Sequence, residues 1–230
     1  MQKASRATSA SPSATRPATG AVSLSLQGVS CARGDRTLFE NVTAEIHAGQ
    51  LLRIAGSNGS GKTTLLRVIC GLLDPLGGEV LWAGVATRRQ RETFHRQLVY
   101  LGHAAALKPN LSAIENLTAS CGLAGVACSD ADAALALAEA GLQEAAHLPA
   151  RALSQGQRRR ATLARVALPA RHDDAALWVL DEPFNALDAT ATPWLMDRIE
   201  HQLARGGIVV LTSHQDIAFG PHVPQVTINL

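Results

Sequence analysis

Residues 51–64, LLRIAGSNGSGKTT, constrain the fold of this 230-residue chain more than any other stretch. An apolar run short enough to be a buried strand passes into a loop holding three glycines and then into Lys62, Thr63 and Thr64. The continuation, KTTLLRVICGLL, has leucines and isoleucine at helical spacing and meets stop signals at Gly71 and Pro75. In the order strand, glycine loop, helix, bare backbone N–H groups and a helix N-terminus surround phosphate oxygens. The loop fits G-x-x-x-x-G-K-[ST], with Gly56, Gly61, Lys62 and Thr63 on the fixed positions and Ser57, Asn58, Gly59, Ser60 and Thr64 completing the cradle. In that pattern Lys62 reaches the β- and γ-phosphates and the Thr63 hydroxyl ligates Mg²⁺. A glycine turn that only caps a helix does not call for the lysine, the hydroxyl and the preceding strand together.

The length suits one large domain with a real core. Hydrophobic residues make up 47% and aromatics 3%, so small and aliphatic side chains fill that core, as in a helix-rich α/β protein. A net charge of +2 carries no polyelectrolyte signature, and no nucleic-acid partner is expected. Cys31, Cys70, Cys121 and Cys128 are scattered without a CxxC pair, which argues against a disulfide scaffold or a zinc site. No run approaches the roughly 18 to 20 apolar residues of a spanning helix, so membrane association is expected only through a partner. Residues 1–20 lack the apolar region of a secretory signal. They read as a disordered extension ahead of a folded domain at 21–230, an organelle transit peptide being the other reading of an acid-free leader.

VSLSLQGVSC and LFENVTAEIHAGQ alternate as antiparallel strands about the turn GDR. Further on, AALWVLDEPFNALD places a hydrophobic strand, Leu177–Leu180, directly before Asp181 and Glu182. A strand so placed delivers Asp181 to the magnesium shell and Glu182 to the attacking water as candidate general base. Upstream, LSQGQRRRATLARVAL opens a long helical run whose first residues include Ser154 and Gly156. Their hydroxyl and N–H groups suit an anion; a capping box has the same appearance, but the segment's place just upstream of the strand before Asp181 favours the anion. Arg158, Arg159 and Arg160 read as a solvated helix face. NLSAIENL begins with a capping box from Ser112 to Glu115, and SDADAALALAEAGLQEAAH reads as a helix started by Ser129 or Asp130 and stopped near Gly141. Together they predict a small helical subdomain at about residues 100–165.

With these motifs assembled, the chain resembles the nucleotide-binding subunits of ABC transporters from residue 22 onward. LSQGQ is similar to the family signature, with Gln155 where glycine is more usual; NALD resembles the D-loop ending in Asp188; GGIVVLTSH resembles the strand that delivers a switch histidine, here His214. The resemblance implies an α/β P-loop NTPase with a RecA-like core, an antiparallel β subdomain and a helical subdomain. It also implies a head-to-tail dimer, each ATP lying between the P-loop of one copy and Ser154, Gly156 and Gln157 of the other, with Asp188 at the same interface. CARGDRTLFENVTAEIHAGQ, GGEVLWAG, LVYLGHAAALKPNLSAIENL and GGIVVLTSHQ, in that order, resemble the ATP-binding subunits of the haem exporter of bacterial cytochrome c maturation. That resemblance implies ATP hydrolysis coupled to haem export or haem-chaperone release. Integral membrane transporter subunits would be the partners, with this chain peripheral on the cytoplasmic side of the inner membrane and residues 100–109 nearest to them.

Two positions depart from the general ABC pattern. Arg33 stands where most relatives place an aromatic residue against adenine, and a guanidinium plane can also stack on a purine; a solvated turn arginine is the other reading. His103 stands at the Q-loop glutamine, where a neutral imidazole can help hold Mg²⁺ and water. The candidate catalytic residues are therefore Glu182, His214 and His103. Non-transport ABC ATPases acting on nucleic acid or ribosomes usually fuse two cassettes or insert coiled coils, and this chain has neither. A non-hydrolysing regulatory module would be expected to have lost Glu182 or His214. A transporter ATPase for another substrate stays open.

Overall fold

The computed structural model describes residues 23–168, 176–214 and 217–230; the expected extension at 1–20 lies outside them. β1 (Ser23–Arg33) and β2 (Arg36–His47) turn about Gly34 and Asp35, and with β4 (Gly77–Trp82) and β5 (Val85–Ala86) form an antiparallel sheet of order β2-β1-β4-β5. The second sheet, of order β6-β7-β8-β3-β9, is parallel throughout. Its strands are β3 (Leu51–Ala55), β6 (Leu98–Leu101), β7 (Leu177–Leu180), β8 (Ile208–Thr212) and β9 (Gln225–Asn229).

Strands of a parallel sheet are covered on both faces and read as continuous apolar runs. LWVL of β7 and IVVLT of β8 are buried at every position. Alternate side chains then serve two cores. Leu52, Ile54, Leu177, Val179, Ile208 and Val210 face the antiparallel sheet and α1 (Lys62–Ile69). Leu51, Trp178, Leu180, Val209 and Leu211 face Leu195, Ile199 and Leu203 of α6 (Ala191–Ala204). Each fully buried leucine or isoleucine contributes about 2 kcal/mol, so the sandwich rather than helix propensity holds α1 and α6 in place. α2 (Arg91–Arg96) leads into β6.

The remaining helices pack a separate core rich in alanine: α3 (Ala113–Leu123), α4 (Asp130–Glu139) and α5 (Gln155–Leu163). Ser129, not Asp130, caps α4. α5 is shorter than its periodicity predicts and tightens into a 3₁₀ segment, Ala164–Ala167. Pro169 comes next but one in the sequence, and the residue before a proline is driven out of helical conformations; Leu168 is extended, with ψ 126°. The reading of the arginine run as a solvated face is corrected. Arg159 is buried, Arg158 donates to Ala150 O and Arg151 O, and Arg160 reaches Gly141 O. The five N–H donors of a guanidinium let these arginines satisfy carbonyls left over where short segments meet.

Within the antiparallel sheet, β1 and β4 meet in one tight contact. Gly78 of β4 has φ +77°, and a Cβ there would collide with Gln27 O and the Gly28 carbonyl of β1, where the β1–β4 register shifts. Gly78→Ala is expected to lower stability by about 2 kcal/mol or more, read as a lower denaturant midpoint with unchanged slope.

Candidate nucleotide site

Parallel sheets present their functional groups beyond the C-terminal ends of the strands. Here β3 ends at the glycine loop, β7 at Asp181 and Glu182, β8 at Ser213 and His214, and β6 at Gly102 and His103. These ends enclose a cleft of about 550 Å³ lined by Arg33, Leu38, Asn58, Gly59, Gly61, Lys62, Thr63, Thr64, His103, Asp181, Glu182, Asn185 and His214.

Two glycines shape the loop. Gly56 has φ +150°, and a Cβ there would meet Leu230 O and Ser60 Oγ at 2.6 Å. Gly61, the N-cap of α1, has φ +108°, and its Cβ would press on the Phe39 ring at 3.0 Å. No side chain caps α1, so its first N–H groups are left for an anion. The buried Lys62 ammonium donates to Gly56 O at 2.8 Å and Ser57 O at 3.0 Å.

Asp181 ties the loop to the sheet. Thr63 Oγ1 donates to its Oδ2 and Thr212 Oγ1 to its Oδ1, both at 2.8 Å. The same Thr212 oxygen accepts from Glu182 N at 2.9 Å. Glu182 is 6% exposed and has φ +49°, a left-handed conformation that costs a non-glycine residue about 1–2 kcal/mol. Its Oε2 accepts from His214 N at 3.2 Å; His214 Nε2 approaches Oε1 to 3.0 Å without the alignment of a hydrogen bond. On the other side, Arg159 Nη2 donates to Asp181 O and Glu182 O, each at 2.8 Å. Burial pulls the Arg159 pKa down, and the nearby Asp181 and Glu182 charges oppose that shift.

Arg159 and Thr212 were missed in the sequence. Thr212 left a signal, a hydroxyl closing an otherwise apolar strand. Arg159 left a weaker one: it lies four residues before buried Leu163, on the same face of α5.

Ser154, Gly156, Gln157 and Asp188 do not line this cleft. Ser154 caps α5 in a reciprocal box with Gln157, so the capping box that was set aside in favour of an anion site is present. Gly156 lies against NALD, where an added Cβ would sit 3.1 Å from Ala186 O. Asp188 accepts from the Thr190 hydroxyl at 2.8 Å and from Ala191 N at 2.9 Å, bonds that hold its carboxyl below the usual range. Arg33 and His103 are exposed at the cleft edge.

Residues 39–185 match the family model described as ABC transporter. The chain is 48% identical over 202 residues to the cytochrome c biogenesis ATP-binding export protein CcmA of Aromatoleum aromaticum, covering 88% of this chain and 92% of that protein. The chain belongs to the ABC transporter family. A second family member, CcmA of Pseudomonas aeruginosa, is 48% identical over 195 residues, 85% of this chain and 93% of that one. Among solved ABC structures, a putative ATP-binding protein from Pyrococcus furiosus superposes with TM-score 0.75 at 28% identity, covering 90% of this chain and 97% of its own. A dimeric ATP-binding cassette in a post-hydrolysis state with ADP and Pi gives TM-score 0.70 at 25% identity over 84% of this chain and 88% of its own. As an ABC cassette the chain binds ATP.

Arg33 tests how this ABC cassette holds the base. Cation–π stacking is worth about 1 kcal/mol, so Arg33→Ala is expected to weaken ATP and GTP alike by about fivefold in equilibrium titration, and unchanged affinities would remove the stacking role.

Proposed function

We propose that the chain is the ATP-hydrolysing subunit of an ABC exporter acting in cytochrome c biogenesis, with hydrolysis coupled to haem export or to release of a haem-loaded chaperone. The observation that carries this reading is 48% identity, across 88% of the chain, to a protein of that name. The cleft supplies the chemistry. Loop and helix N–H groups and Lys62 receive the phosphates, with Lys62 exchanging two neutral carbonyls for phosphate oxygens. Glu182 Oε2 is engaged by His214 N, while buried Oε1 has no aligned hydrogen bond and keeps a lone pair for the proton of the attacking water. Water oxygen bonds the γ-phosphorus, the bond to the β-phosphate oxygen breaks, and ADP and phosphate leave. His214 faces the same phosphoryl group, and His103 stands at the edge where water and nucleotide meet.

Mg²⁺ fits the donors present. Thr63 and Asp181 offer hard oxygens within 2.8 Å of each other, and among the described residues no group of three or more His, Cys, Asp or Glu side chains could hold a metal. Magnesium keeps most of its shell as water and phosphate oxygen, so one hydroxyl and one carboxylate suffice. When bound it neutralises developing charge on the phosphates.

In the proposed dimer, Ser154, Gly156 and Gln157 of a second copy close over the γ-phosphate, with Asp188 beside them. That none of the four lines the cleft of its own chain supports this arrangement, as does the dimeric cassette sharing the fold. Among the described residues no helix is long and apolar enough to cross a membrane. The likeness to a cytochrome c biogenesis export protein supports an integral membrane subunit as the partner that holds the chain, with the cytoplasmic face of the inner membrane as the proposed location. Residues 100–109 and the helical subdomain are the proposed contact.

Glu182→Gln is expected to give a stable dimer in saturating MgATP, seen by size-exclusion chromatography with light scattering, with turnover reduced about a hundredfold or more. A monomer under those conditions overturns the shared site. Lys62→Ala in the host should abolish c-type cytochrome maturation, and tagged Glu182→Gln should co-purify the membrane subunits. Normal maturation in the Lys62→Ala strain would redirect the assignment to another substrate.

A further inference from the structure

Two buried polar side chains outside the assigned set converge on the Asp181–Glu182 peptide. Arg159 donates from Nη2 to both carbonyls of that link at 2.8 Å, and from Nη1 to Gly102 O at 2.9 Å and His103 O at 3.4 Å. From the opposite side, fully buried Thr212 donates to Asp181 Oδ1 and accepts from Glu182 N. We propose that Arg159 and Thr212 are positioning residues which together hold the Asp181–Glu182 link in its left-handed turn and so aim the Glu182 carboxylate at the γ-phosphate.

This rests on Glu182 being the base, and three features carry it. A non-glycine residue at φ +49° persists only where its surroundings over-determine it, and here the nitrogen and carbonyl of Glu182 are both gripped from outside its own strand. Arg159 directs all four bonds at the two segments that carry His103 and the acidic pair. Its neighbours on α5 turn elsewhere, Arg158 to Ala150 O and Arg151 O, Arg160 to Gly141 O. Stability alone is a poor reason for this arginine, because its buried Nε finds no partner. Well-packed apolar residues commonly do better than a buried charge with an unmet donor. What the guanidinium provides that an apolar group does not is a fixed fork, bonding two adjacent carbonyls at once.

The test uses the full chain purified with its accompanying membrane subunits and compares Arg159→Lys and Thr212→Val with wild type. Lysine keeps the charge but has one nitrogen and cannot span two segments; valine keeps the shape of threonine without the hydroxyl. Each is expected to lower kcat about tenfold or more while KM and ADP affinity stay within about twofold. Because both act through Glu182, the double variant should fall no more than about threefold below the worse single one. Thr212→Ser should regain most of the loss. Arg158→Lys controls for a general effect on α5 and should leave kcat within about twofold. Wild-type kcat in either folded variant, full multiplication of the two losses, or a loss in KM alone overturns the proposal; should Arg159→Lys fail to fold, Thr212→Val against Thr212→Ser decides. If Glu182→Gln itself turns over normally, the assignment of the base fails. If Glu182→Gln is inactive while Arg159→Lys and Thr212→Val are not, only the positioning role falls.

Discussion

One carboxylate joins the halves of the site. Asp181 receives Thr63 on one oxygen and Thr212 on the other, at 2.8 Å each, so the glycine loop after β3 and the ends of β7 and β8 are locked to a single group. Parallel pairing makes this possible: β8 lies between β7 and β3 in the sheet, and register places Leu180 beside Leu211 and Ile54 beside Thr212. A slip of one residue in β8 would turn Thr212 to the other face and leave Asp181 Oδ1 and Glu182 N without their partner. The two apolar cores on either side of the sheet fix that register. Packing and catalytic geometry are therefore one constraint seen at two scales.

The helical subdomain is built on different terms. Its core is mostly alanine, which gives less burial per residue than the leucines and isoleucines under the parallel sheet. Its helices run 11, 10 and 9 residues, lengths that are marginal in isolation. Reciprocal capping boxes at Ser112, Ser129 and Ser154 start all three. A cap of this kind is worth about 1 kcal/mol, a large share for a short helix. For Ser154 structural and ligand-binding uses do not compete. A hydroxyl accepts through its lone pairs and still has one hydrogen to donate, so it can receive Gln157 N and in the proposed dimer offer its O–H to phosphate.

The parts of the fold that were legible in the sequence are those where local pattern and tertiary role agree. The alternation of β1 and β2, the buried runs of β3, β7 and β8, and the loop motif all declare themselves through periodicity or through glycine at positions where a side chain would collide. β9 went unnoticed although Val226, Ile228 and Leu230 alternate, because so short a terminal segment has no turn signals to frame it. Arg159 was misread because charge usually means solvent; its burial depends on four carbonyls contributed by two remote segments, which no local pattern encodes. The roles proposed for Ser154, Gly156 and Asp188 rest on resemblance, since none of the three lines the cleft of its own chain.

Lys62 shows why the loop is preorganised. A buried ammonium needs partners, and here they are the neutral carbonyls of Gly56 and Ser57, not the nearby Asp181 carboxylate. Had Lys62 paired with Asp181, an incoming triphosphate would have to break a charge-assisted bond of its own kind, and Thr63 would lose its anchor. Two neutral acceptors hold the ammonium in place yet are weaker than phosphate oxygens, so in the proposed complex nucleotide would replace them at a gain. Because Asp181 is already committed to two hydroxyls, the lysine stays available for the phosphate that the proposed function seats in the cleft.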